Sequence, residues 1–153
     1  MSKMPGIVVG VDGSDHSRRA LEWAVREAAV RRTPLTVLAV QQPVTIYWGA
    51  GAAIPCPDPY DQDLVKQTLE SAEKETDGVL EQAAPAIRPP SVKVRAVAGL
   101  PAEELLKAAA DADMIVVGSR GADGFARLLM GSVSTQVTHH APCAVVVVPS
   151  GHS

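Results

Sequence analysis

The residue types that bind phosphate are concentrated between Gly118 and Ser134: glycines at 118, 121, 124 and 131, arginines at 120 and 127, and serines at 119, 132 and 134. Glycine lets a backbone turn sharply and approach a ligand closely, and arginine brings a permanent positive charge in a geometry that matches phosphate. Each arginine, taken by itself, reads equally as a solvated surface residue. The apolar run Met114 to Val117 precedes this group, and Val133, Gln136 and Val137 follow at helical spacing, so the unit is buried strand, glycine-rich loop, helix N-terminus. Unpaired N–H groups and partial positive charge at a helix N-terminus suit phosphate. Ser132 is an N-cap residue type, and its hydroxyl can serve either the helix or a phosphate oxygen. A side chain at Gly118 or Gly131 would occupy phosphate space or strain the turn. With no ligand, the same text is a surface loop ahead of a serine-capped helix.

Two familiar phosphate motifs do not fit. A P-loop needs a lysine that is absent here, and glycines at 118, 121 and 124 are spaced by three, unlike GxGxxG. The pattern GxxGx9G(S/T) does fit, with Gly118, Gly121, Gly131 and Ser132 at its required positions. In this the chain resembles the universal stress protein family, in its ATP-binding subgroup. The resemblance runs on through GFARLLMGSVSTQVTHHAPCAVVVVP and back to VVGVDGSDHSRRALEWA, covering essentially the whole chain.

That resemblance implies ATP as the ligand, with Mg²⁺ (or Mn²⁺) held through the phosphates. It places Asp12 at the nucleoside and gives the backbone of Val40 to the adenine edge. The site expected from residues and resemblance together comprises Gly10, Asp12, Val40, Gly118, Ser119, Arg120, Gly121, Gly124, Arg127, Gly131, Ser132, Val133 and Ser134. The implied function is a nucleotide-dependent regulator in stress response with little or no hydrolysis. A slow ATPase is the enzyme alternative, and a cyclic-nucleotide-binding or nucleotide-free dimeric interaction module is the third. The loop has no P-loop lysine and no assignable water-activating residue, so no catalytic residue is named.

Other residues bear on chemistry less directly. Without the resemblance, Asp12 reads equally as a ligand-binding carboxylate or as a cap for the next helix through Gly13 and Ser14. Asp123 would repel a phosphate unless a divalent cation intervened. His139 and His140 are adjacent, which on a helix separates them by about 100°, so they read as helix-end histidines favoured by the dipole rather than as a chelate. Ser119 in VGSRG looks like a nucleophile elbow, but Val117 stands where that motif wants glycine. Cys56 and Cys143 show no metal spacing and read as free thiols.

The totals narrow the classes. At 153 residues the chain is expected to form one domain spanning 1–153. Aromatic residues are few and the formal charge is −3, which argues against nucleic acid and anionic membranes as partners. No secretory signal and no membrane-spanning run is visible, so a cytoplasmic protein is expected.

The elements that must position these residues alternate. GIVVGVD is a strand ending in Asp12, followed by a helix through Arg32 with Leu21, Ala24, Val25, Ala28 and Ala29 buried. LTVLAV is a second strand, opening into a long loop rich in Gly and Pro. A helix from Asp61 to about Ala84 follows, then VKVRA, whose alternation predicts an edge strand. Pro101 begins a third helix, AEELLKAAADA. The phosphate unit and the run Ala144 to Val148 close the chain. Alternation predicts an α/β fold, Rossmann-like, with helices on both faces of a five-stranded parallel sheet; the order 3-2-1-4-5 follows from the resemblance. The last strand would be an apolar edge, and a second copy of it is the simplest cover, which predicts a homodimer through Ala144 to Val148.

Overall fold

The computed structural model describes residues 6–42, 62–119 and 132–149, with the backbone of 45–48 and 52–55. Strands β1 (Ile7–Val11), β2 (Leu35–Gln41), β5 (Val92–Ala98), β6 (Met114–Gly118) and β7 (Ala144–Val148) form one parallel sheet in the order β5-β2-β1-β6-β7. Counted along the chain within this sheet, that is the predicted 3-2-1-4-5. The central strands are near-continuous apolar runs because both of their faces are covered. At β5, half-buried residues alternate with exposed Lys93 and Arg95, as an edge requires.

Helices α1 (Asp15–Arg31) and α2 (Gln62–Gln82) cover one face. Ile7, Val9 and Val11 point into this layer, against Leu21, Ala24, Val25, Ala28, Ala72 and Val79. Ala20 and Ser17 extend the buried stripe of α1 toward its start, while Ala29 is only half-buried. Helices α3 (Pro101–Ala108) and α4 (Ser132–His140) cover the other face, where Val8, Leu38, Ile115 and Val117 meet Ala102, Leu105, Ala109 and Val137. Residues in consecutive strand positions thus feed two separate cores, the direct result of a side-chain period of two.

Two expectations are corrected. The third helix is shorter than AEELLKAAADA, because the N–H of Ala110 bonds to the Lys107 carbonyl and the chain turns to bring the Asp113 N–H to the Gly6 carbonyl at 2.9 Å. The long loop after β2 contains an antiparallel hairpin, β3 (Thr45–Trp48) with β4 (Ala52–Pro55). Thr45, Ile46, Tyr47 and Trp48 are strand-forming types, and the density of Gly and Pro around them hid this. Among the described residues no helix is long and apolar enough to cross a membrane.

Candidate functional site

Register brings the carboxyl ends of three strands level. Val11 pairs with Ala39, and Val9 pairs with Val116, so Gly118 stands beside Val11. From neighbouring strands β1 and β6 the chain leaves to opposite faces, into α1 and α4. Crevices of doubly wound sheets form at such a reversal. Here the crevice is a cleft of about 1070 Å³.

Of the residues predicted for the site, the cleft brings together Gly10, Asp12, Val40, Gly118, Ser132, Val133 and Ser134. Arg120, Gly121, Gly124, Arg127 and Gly131 lie outside the described residues, as do Asp123 and Cys56. Ser119 is buried beside the cleft rather than in its lining. Its N–H donates to the Val148 carbonyl at 3.0 Å, and its carbonyl accepts from Ser134 Oγ at 3.4 Å. It ties β6 to β7 and to α4.

The turn after β1 is closed by its own side chains. Gly13 takes φ +83°, the left-handed region that favours glycine. Asp12 Oδ1 accepts from the Ser14 N–H at 2.9 Å and from Ser14 Oγ at 2.5 Å. Ser14 Oγ in turn accepts from the Ser17 N–H at 3.2 Å and caps α1. Asp12 is therefore both an exposed carboxylate at the cleft and the residue that holds the cap.

Helix α4 begins differently. Ser132 is its first helical residue rather than its cap, and it is exposed in the cleft lining. No acidic residue stands in its first turn, whereas α1 has Asp15, α2 has Asp63 and α3 has Glu103 and Glu104 there. An acid in the first turn offsets the partial positive charge that an anion would otherwise use. His139 and His140 stand in the last turn of α4, exposed and tilted to each other with ring centres 6.5 Å apart, and no metal-binding cluster occurs among the described residues.

Two of the glycines also serve the packing of the fold. A Cβ at Gly118 would meet the backbone of His16, 2.8 Å from its carbonyl oxygen and 2.9 Å from its carbonyl carbon. A Cβ at Gly10 would lie 3.0 Å from both methyl carbons of Leu105. Gly118 lets the first turn of α1 close onto β6, and Gly10 lets α3 close onto β1. The space on the Cβ side of Gly118 is thus filled by the protein's own backbone, while Gly118 itself lines the cleft.

One wall of the cleft had no counterpart in the predicted site. Helix α2 turns Leu64, Gln67, Thr68, Ser71, Ala72 and Glu75 toward it, all on one helical stripe. Thr68 Oγ1 donates to Gln41 Oε1 at 2.7 Å and fastens α2 to the end of β2. Burial raises the pKa of Glu75 above the ordinary carboxyl value; Arg18 opposes the shift, and Asp12 and Asp15 reinforce it. The opposite wall is apolar, formed by Leu38, Val40, Leu100, Pro101, Ala102 and Leu105. The described lining holds three carboxylates, Asp12, Glu75 and Glu103, and no Lys, Arg or His.

Sheet order, two-faced core and cleft define a doubly wound α/β protein with a crevice at its topological switch point. The chain belongs to the universal stress protein family, whose pattern matches residues 4–149. It is 37% identical over 150 residues to a universal stress protein of Mycolicibacterium smegmatis, covering 94% of this chain and 47% of that one. A universal stress protein of Thermus aquaticus is 35% identical over 144 residues, with 93% and 96% covered. The chain spans about half the length of the mycobacterial relatives it matches. Among solved structures, UspA from Lactobacillus plantarum superposes with a TM-score of 0.69 at 25% identity, covering 97% of this chain and 99% of that one. A universal stress protein in complex with cAMP gives 0.65 at 25% identity, with 98% and 100% covered. The Archaeoglobus fulgidus protein in complex with dAMP gives 0.60 at 26%, with 97% and 99% covered.

Proposed function

We propose that this protein binds an adenine nucleotide, ATP, in the switch-point cleft and acts as a nucleotide-dependent regulator in stress response with little or no hydrolysis. The observation that carries the reading is the cleft itself: an apolar wall for a base, carboxylates that accept from ribose hydroxyls, and the acid-free start of α4 for phosphate. Related proteins solved with cAMP and dAMP support the adenine class. Asp12 and the Val40 backbone take the nucleoside end. Ser132, Val133 and Ser134 take the phosphates, together with Gly118, Ser119, Arg120, Gly121, Gly124, Arg127 and Gly131. Mg²⁺ (or Mn²⁺) bound to phosphate oxygens would offset the negative charge of the wall, which suits a metal held through the ligand. Nucleotide identified by mass spectrometry in gently purified protein, followed by calorimetric titration with MgATP, tests the reading. Absence of bound nucleotide and of any heat with ATP, ADP or AMP would overturn it. The complex of a relative with cAMP favours one second reading, a cyclic-nucleotide binder, which tighter binding of cAMP than of ATP would establish.

We further propose a cytoplasmic homodimer in which the free edge of β7 pairs with its copy. Among the described residues β7 has a neighbour only on the β6 side, and Val145 to Val148 are half-exposed. Val146→Lys or Val147→Lys should give monomers by light scattering, and intact dimers of both would move the interface elsewhere.

A further inference from the structure

We propose that Glu75 is a specificity-determining residue of the cleft, a fixed negative charge that rejects nucleotides bearing a second phosphate on the ribose 3′ oxygen. The proposal rests on the adenine-nucleotide reading above.

The placement of Glu75 follows from α2. The bond from Thr68 to Gln41 fixes this helix against the end of β2, and seven residues further on, about two turns, the same face presents Glu75 to the cleft. The side chain has no hydrogen-bond or ion-pair partner among the described residues. Arg18, the positive charge that acts on it, is shared with Glu22 at 3.6 Å. Asp12 at the end of β1 lines the same cleft, and Asp15 stands in the first turn of α1. The cleft lining thus combines the carboxylates of Asp12 and Glu75 with hydroxyl and amide groups of Ser17, Gln41, Thr68 and Ser71.

A ribose edge fits there, because its hydroxyls donate and carboxylates accept. A phosphate ester on the same edge loses the donor and sets two like charges in a half-buried site with no described Lys, Arg or His in the lining. The wall thus separates ligands more by what it repels than by what it attracts. With the 5′ phosphate at the start of α4, the nucleoside runs toward Asp12 and Glu75, which brings the 3′ oxygen under their influence.

The test compares AMP with adenosine 3′,5′-bisphosphate by calorimetry on the wild type, Glu75→Gln and Glu75→Asp. The readout is the ratio of the two dissociation constants, bisphosphate over AMP. The wild type should bind AMP more tightly, and Glu75→Gln should lower the ratio by about tenfold, the scale expected for one screened charge contact. Glu75→Asp, which keeps the charge, should retain the wild-type ratio. In the wild type the ratio should also fall as salt is added. A ratio near one in the wild type, or one that Glu75→Gln leaves unchanged, overturns the proposal while leaving AMP binding intact. Failure of AMP to bind at all overturns the reading of the cleft and this inference with it. If Glu75→Gln does not fold, a wild-type ratio that is flat with salt overturns the proposal by itself.

Discussion

Two helices begin at this cleft, and their first turns are built in opposite ways. Helix α1 is closed: Ser14 caps it, Asp12 holds Ser14, and Asp15 sits in the first turn. Helix α4 is open: no acid occupies its first turn, and Ser132 is exposed to the cleft. Both ends carry the same backbone partial charge, so the difference lies in which groups have already answered it. At α1 the protein answers it from its own sequence. At α4 no acid of the first turn answers it, and under the nucleotide reading proposed above this end faces the phosphates.

The sharpest way to break the contrast is to make α4 resemble α1. Ser132→Asp places a carboxylate at an exposed helix start, where it should raise stability by about 0.3–1 kcal/mol. The same charge should oppose phosphate and weaken MgATP by about a hundredfold or more. Thermal melts and calorimetry on one preparation check both effects. A variant that is more stable and still binds as the wild type does would show that phosphate does not use α4.

Gly118→Ala attacks both ends together. Its Cβ would press on the His16 backbone, which cannot rotate away as a side chain can, so the first turn of α1 must shift. A loss of about 1–3 kcal/mol in urea denaturation is expected. A variant as stable as the wild type, with nucleotide binding lost, would show that Gly118 serves the ligand rather than the packing of α1. Ser14→Ala is the milder control. It should cost about 1 kcal/mol of stability and leave nucleotide affinity within about twofold, because Asp12 keeps its bond from the Ser14 N–H.

What was legible follows from how local each signal is. Continuous apolar runs at Ile7–Val11 and Met114–Val117 mark strands buried on both faces, and the alternation at Val92–Ala96 marks an edge, whatever surrounds them. Asp12, Val40 and Ser132 were legible because strand ends and helix starts in this topology share one rim. The α2 wall was not, because Gln67, Thr68, Ser71 and Glu75 look like a solvated helix face until Thr68 is tied to Gln41. Their spacing with Leu64 was the available signal. The packing at Gly118 was not legible for a related reason: a motif shows that a glycine is present, but only the fold shows that the His16 backbone needs the room beside it. The hairpin Thr45–Trp48 with Ala52–Pro55 was hidden by neighbouring prolines and glycines.

The smallest expected effect concerns pH, and it probes how crowded with negative charge the closed end is. Burial lifts the Glu75 carboxyl above the ordinary value of 4.5, with Arg18 opposing and Asp12 and Asp15 reinforcing. Between the ordinary value and the raised one, the folded chain keeps a proton that the unfolded chain has released. Stability from this group therefore falls as pH rises through that window and stays at a constant deficit above it. Below about pH 4 the carboxyl is neutral in both states, so Glu75→Gln and the wild type should melt together. As pH rises, Glu75→Gln should become the more stable of the two, by a margin that then levels off and shrinks in salt, since the group is only half-buried. Differential scanning calorimetry across the acid range gives the sign directly. If Glu75→Gln is instead less stable at neutral pH, attraction to Arg18 outweighs burial and the Asp12 and Asp15 charges. The carboxylates on this side of the cleft would then form a neutralised cluster rather than a repelling wall.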